Sequence, residues 1–149
     1  GIEIQNIAIG SYAMLSVDEG ASQNADNNIA IGYSALTGGT ISGGDFIDNI
    51  AIGKEAMNST GTNPQTGTVA IGSFALTALT SGARNTAVGF NAGLGISTSS
   101  DCTVVGYMAG EDMDSSGTTP QFGASTYVGY AAGTNDISGK LYLYWWICW

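Results

Sequence analysis

The chain has no histidine, three basic residues and two cysteines among its 149 residues. Without histidine there is no His-based catalytic triad and no imidazole zinc site, and neither a phosphate-binding Gly loop nor a motif-placed pair of carboxylates takes their place. Lys54, Arg84 and Lys140 stand against twelve acidic residues, for a net charge of -9. So few cations cannot neutralise a phosphate backbone, which argues against a nucleic-acid partner. The acids are scattered, as on a solvated surface. Cys102 and Cys148 belong to no metal or redox motif and decide no compartment. No apolar run approaches the roughly 18 residues of a membrane helix, and no basic leader with a cleavage site precedes the first motif. Membrane insertion is therefore not expected. Large aliphatic side chains are scarce, and with this charge the composition borders on disorder.

What opposes disorder is repetition. Asn6-Ile7-Ala8-Ile9-Gly10 returns as Asn28 to Gly32, Asn49 to Gly53, Thr68 to Gly72, Asn85 to Gly89, Cys102 to Gly106 and Ser125 to Gly129. Each Gly is followed three residues later by Ala: Ala13, Ala35, Ala56, Ala75, Ala92, Ala109 and Ala132. The glycines are spaced by 22, 21, 19, 17, 17 and 23 residues, the range of a solenoid rather than of an irregular domain. The 23 glycines and two prolines suit short strands joined by small polar turns such as Thr37-Gly38-Gly39-Thr40 and Ser42-Gly43-Gly44-Asp45. Opening at Gly1, almost inside its first repeat, the chain reads as a piece of a longer polypeptide.

Within each motif the apolar pattern alternates with period two, so the motif is a strand. Stacked copies make a parallel sheet, and the fold class expected is all-β: a parallel β-solenoid or β-roll of about seven irregular coils. Ile and Val alternate with Ala and Gly, and bulk is expected to form a ladder inside each coil. That leaves a small-residue strip of Ala8, Gly10, Ala30, Gly32, Ala51, Gly53, Ala70, Gly72, Ala87 and Gly89 outside. A single solenoid can pack its own return strand there. Alternatively, three chains meet there on a common axis, an intertwined homotrimeric fibre whose shared burial supplements a thin core. Asn6, Asn28, Asn49 and Asn85 either stack as an amide ladder or make the turn into the strand.

From the fifth copy the array changes. The residue after the motif's Ala goes from Met14, Leu36, Met57 and Leu76 to Gly93, Gly110 and Gly133, and the first strand position becomes Thr86, Thr103 and Thr126. Val104 and Tyr127 replace the small-face Ala, and a wider or differently packed axis is expected there. Tyr33, Phe74, Phe90, Tyr107 and Tyr130, with Tyr12, lie just past the glycines and are candidate ligand-binding residues, either a stacking platform for sugar rings or packing between coils. Asp112 with Asp114 is the one local candidate for a depolymerase's carboxylates, more in keeping with a solvated loop than with catalysis. The three threonines, expected to face inward, are too few for an ice-binding face. Asn58-Ser59-Thr60 fits a glycosylation sequon, a triplet common by chance. Residues 1–142 read as the repeat array and 143–149 as an aromatic segment leading elsewhere.

Asn28-Ile29-Ala30-Ile31-Gly32-Tyr33-Ser34-Ala35-Leu36 and Asn85-Thr86-Ala87-Val88-Gly89-Phe90-Asn91-Ala92-Gly93 resemble repeats of bacteriophage tail fibres that precede an intramolecular chaperone domain. Ser138-Gly139-Lys140-Leu141-Tyr142 looks like the segment that ends such arrays. The core is also similar to head repeats of trimeric autotransporter adhesins, whose repeat near fourteen residues is shorter and more regular. The resemblance implies a virion tail-fibre segment, homotrimeric and non-enzymatic, with no cofactor or metal. Its partners would be sister chains, other fibre or tail proteins and a cell-surface glycan or protein receptor. The alternatives are the head of a bacterial surface adhesin and, as a minor one, a fibre-borne polysaccharide depolymerase.

Overall fold

The structure is a computed structural model that describes residues 5–17, 24–112 and 124–134. Among these there are nine short strands and no helix: β1 (Ile7–Ile9), β2 (Ile29–Ile31), β3 (Phe46–Ile47), β4 (Ile50–Ile52), β5 (Gln65–Thr66), β6 (Val69–Ile71), β7 (Thr86–Val88), β8 (Thr103–Val105) and β9 (Thr126–Val128). Seven are the motif copies. They pair in parallel in the order β1-β2-β4-β6-β7-β8-β9, each coil adding one rung, while β3 and β5 pair as a short second wall. Register is strict: Ala8 lies beside Ala30, Ala30 beside Ala51, Ala51 beside Ala70 and Ala70 beside Ala87. The chain is thus an all-β parallel solenoid.

The Gly-x-x-Ala spacing has a turn behind it. In each copy the Ala N–H donates back to the Gly carbonyl, as from Ala13 to Gly10 at 3.3 Å and from Ala56 to Gly53 at 3.4 Å. The third residue of the turn has positive φ (Tyr12 61°, Ser34 51°, Glu55 55°), as a type II turn requires. The Gly itself is fixed by crowding as well as by its φ of 123° to 139°. A Cβ on Gly10 would stand 2.7 Å from the carbonyl oxygen of Gly32, backbone against backbone. Rungs can stack here only if the position carries no side chain.

The two faces of the strands are reversed relative to the expectation from residue size. Ala30, Ala51, Ala70 and Ala87 are fully buried inside the coil, as is Val104 at the same position, whereas Ile7, Ile9, Ile71 and Val128 are exposed and the other Ile and Val of the strands are half-buried. The proposed axis-packing set Ala8, Gly10, Ala30, Gly32, Ala51, Gly53, Ala70, Gly72, Ala87 and Gly89 is therefore corrected. Its alanines line the chain's own core, save Ala8 on the first rung, which is exposed, and its glycines stack on one another within the chain. The physical reason is room: the opposite side of each coil already supplies the bulk, with Leu36, Met57 and Leu76 after the turn and Ile41, Phe46, Leu79 and Ile96 beyond it. A wall of alanine against a wall of leucine fills a coil that two rows of isoleucine would overfill.

The asparagines form a ladder. Asn28 N–H donates to Asn6 Oδ1 (2.8 Å), Asn49 N–H to Asn28 Oδ1 (3.0 Å) and Thr68 N–H to Asn49 Oδ1 (3.1 Å). Each amide nitrogen also reaches a carbonyl three residues ahead of the next motif copy: Asn28 to Phe46 (2.8 Å), Asn49 to Gln65 (3.0 Å) and Asn85 to Ser99 (2.8 Å). These side chains thus satisfy buried backbone groups along the rod. Nor do Val104 and Tyr127 splay the upper rungs. Ladder bonds there stay at 2.8 Å, from Thr103 N–H to the Ser125 carbonyl and from Gly129 N–H to the Val105 carbonyl. The expected wider packing is corrected by what faces them: a side chain on Gly133 would run into the Tyr127 ring, so glycine makes the space that tyrosine fills.

Candidate interaction surface

Because the alanines face inward, the aliphatic residues of every rung form the outer face of the sheet. From Ile7 to Val128 the outward positions are Ile, Val or Thr, and none is charged. Thr86, Thr103 and Thr126 belong to this row, half-buried beside buried residues 87, 104 and 127, and not to the interior as expected. Seven rungs at about 4.8 Å make a strip roughly 30 Å long and about 10 Å wide. An uncharged aliphatic strip on a chain of net charge -9 is the surface feature least in keeping with a solvated role.

The aromatic candidates flank this strip, at the turn that follows each strand. Phe90 and Tyr107 stack with centroids 5.5 Å apart and 12° between planes, and Tyr107 and Tyr130 repeat this at 5.5 Å and 6°. Phe74 meets Phe90 edge-on at 5.9 Å, and Tyr12 meets Tyr33 edge-on at 5.6 Å. On the third rung Lys54 takes the place of a ring, its Nζ 5.0 Å from the Phe74 centroid. Tyr107 therefore has a ring on either side and both its flat faces are covered, while Tyr130, at the end of this stack, is 74% exposed. These contacts are packing between coils.

The other sequence candidates do not converge. Asp112 is half-buried, and Asp114 lies outside the described residues, as do Cys148, Lys140 and residues 143–149. Among the described residues no three His, Cys, Asp or Glu side chains gather as metal ligands. Cys102 is buried, its thiol donating to the Ser100 carbonyl at 3.6 Å. Thr60 of the sequon is buried too, its hydroxyl committed to the Thr37 carbonyl at 2.8 Å. The strongest charged contact is exposed: Arg84 Nε and Nη2 hold both oxygens of Asp101 at 2.6 and 2.9 Å. Those hydrogen bonds hold the Asp101 carboxyl below the usual carboxylate range and raise the guanidinium.

Sequence reasoning found the strip's residues but placed them inside, because it ranked the two faces by size. It missed the second wall altogether. The signal was present in Phe46 and Gln65, which lie three positions before Asn49 and Thr68, but without the register nothing marks them as inward. Compared with protein-family models, with curated proteins and with solved structures, the chain matches none. The surface must speak for itself.

Proposed function

We propose that this chain is a structural segment of a homotrimeric fibre, a phage tail-fibre shaft that spaces and presents a host-receptor-binding region. One observation carries the reading: the solenoid seals its own core, mostly with alanine, and leaves an uncharged strip of Ile, Val and Thr along the described rungs. Three such strips turned towards one axis remove that surface from water with cyclic symmetry, and identical rungs keep the copies in register. The sister contact thus runs through the aliphatic face and not through the small-residue face.

Size bears on how such a fibre works. A strip of roughly 300 Å² per chain, from the dimensions above, is well short of the ~800 Å² per partner of a standard interface. Association therefore grows with the number of rungs, which suits a shaft. Parallel ladders with few open edges give stiffness, and three copies of every loop give weak contacts avidity. No catalytic step is assigned to it.

Sedimentation of the chain across a concentration series tests the reading, with Ile31→Ser/Ile52→Ser as the control. Wild type is expected to approach three chain masses as concentration rises, and the variant to stay at one with its β-sheet circular dichroism intact. A wild type monomeric throughout, or a variant that still trimerises, would refute the aliphatic axis. Glycan-array binding by the segment itself would move the reading from spacer to adhesin.

A further inference from the structure

Inside the coil, four side-chain atoms are sealed from solvent without a hydrogen-bond partner among the described residues: Gln65 Oε1 and Nε2, Thr68 Oγ1 and Ser99 Oγ. The register puts Gln65 and Thr68 on one coil and Ser99 two rungs above Gln65 on the same wall. Gln65 sits one rung above Phe46 in the β3–β5 pair. Arg84 N–H donates to the Thr66 carbonyl at 2.9 Å and Asp101 N–H to the Ala83 carbonyl at 3.0 Å, which carries the same wall upward. Gly82 therefore overlies Gln65, and Ser99 overlies Gly82. Gly82 puts no side chain between them, and the Ser99 carbonyl lies where a Cβ on Gly82 would stand.

Thr68 lies three residues after Gln65, immediately before β6. It occupies the ladder position that Asn49 holds below and Asn85 above. On those rungs the carboxamide nitrogen reaches the Gln65 and Ser99 carbonyls, and Oδ1 accepts a backbone N–H from the next rung. The corresponding carbonyl for the fourth rung is that of Gly82. A threonine hydroxyl is shorter than a carboxamide, and Thr68 Oγ1 makes no such bond.

We propose that the interior here binds one or two water molecules, the first held by Gln65 and Thr68, that take over the role of the missing Asn carboxamide. All three side chains are neutral and fully buried, so the chemistry suits neither a metal ion nor an anion. A carboxamide, two hydroxyls and a wall carbonyl offer the two to four partners that an interior water needs. Water hydrogens go to the Gly82 carbonyl and to Gln65 Oε1, and its oxygen accepts from Gln65 Nε2, Thr68 or Ser99. The site runs from the fourth rung towards the sixth, across the step where the array changes type, and it is independent of whether sister chains associate.

Crystal structures of the chain and of Thr68→Asn, at about 1.5 Å or better, test this together with thermal unfolding. Wild type is expected to show water within hydrogen-bond distance of at least two of Gln65, Thr68 and Ser99. Thr68→Asn is expected to displace it and to raise the unfolding midpoint by roughly 2–5 °C through a completed ladder. Gln65 and Ser99 bonded directly to protein atoms, with no water between them, would overturn the proposal. So would Thr68→Asn retaining the water with a lowered midpoint. Gln65→Leu is the second variant, decisive should Thr68→Asn not fold. Removing two dry orphan atoms would raise the midpoint and refute the site, whereas removing two partners of a bound water lowers it.

Discussion

The lower four rungs of the solenoid (β1, β2, β4 and β6) and the upper three (β7, β8 and β9) share one backbone and fill it differently. Below, Ala on the strand faces Met14, Leu36, Met57 or Leu76 after the turn; above, Gly93, Gly110 and Gly133 stand there, and the sixth and seventh rungs answer with Val104 and Tyr127. Ladder hydrogen bonds do not register the change. On the sixth and seventh rungs interior volume has moved from one wall to the other, while on the fifth, with Ala87 and Gly93 both small, Leu76 and Ile96 close on the glycine. Outside, the change is not neutral. Threonine replaces Ile or Val at one of two positions per rung, so the lower half presents the more apolar strip and the upper half the more continuous aromatic stack. On the proposed reading, the lower half contributes more to sister-chain contact.

The largest effect should be common to both halves. Gly32→Val and Gly106→Val drive a Cβ into the carbonyl of the next rung and force valine to positive φ, costing about 3 kcal/mol or more at either site. Chemical denaturation that finds one half tolerant would show that the backbones differ after all. Next comes the Asn ladder, stronger below than above. Asn49→Ala strands the Gln65 carbonyl and the Thr68 N–H and should cost about 3 kcal/mol, while Cys102→Ala at the equivalent upper position should cost about half that or less. Equal losses would mean that the ladder carries no special weight.

The exchange of volume can be tested as a cycle. Gly133→Leu alone should destabilise by clashing with Tyr127, Tyr127→Ala alone by leaving a cavity, and the pair together should recover, with a coupling of about 2 kcal/mol. Additive losses would break the link between the walls. Smallest is the surface electrostatics. Asp101 of the upper half is held by Arg84 in the ionised form, so its folded carboxyl titrates below its unfolded one. Its contribution is present above the unfolded value and disappears as pH falls through the folded one; being fully exposed, it should be slight. NMR titration should find Asp101 protonating below the ordinary aspartate range, and Arg84→Ala should return it there.

The seven rungs and their register were legible in the motif itself, because Gly-x-x-Ala is a turn that closes only one way and the spacing leaves each copy beside the next. The stacked amides of Asn28 and Asn49 were legible as one of two alternatives. The facing was not. Period-two alternation in Ile29-Ala30-Ile31 says that the residues part company, but which face is inside depends on what the rest of the coil contributes. Leu36, Ile41 and Phe46 lie 5 to 15 residues further on in segments without periodicity. Nor could the effect of Tyr127 be judged before Gly133 was known to lie under its ring. Size ranked along one strand is a poor guide to burial when the opposing wall is unknown.

Thiol reactivity on adjacent residues of one strand tests the inverted facing most directly. On a background with Cys102 and Cys148 changed to serine, Ala51→Cys and Ile52→Cys are labelled in dilute native protein. The account predicts that the thiol at position 52 reacts readily and is protected as concentration rises, while the one at position 51 stays unreactive until the chain unfolds. Prompt labelling at 51 with protection at 52 would contradict it.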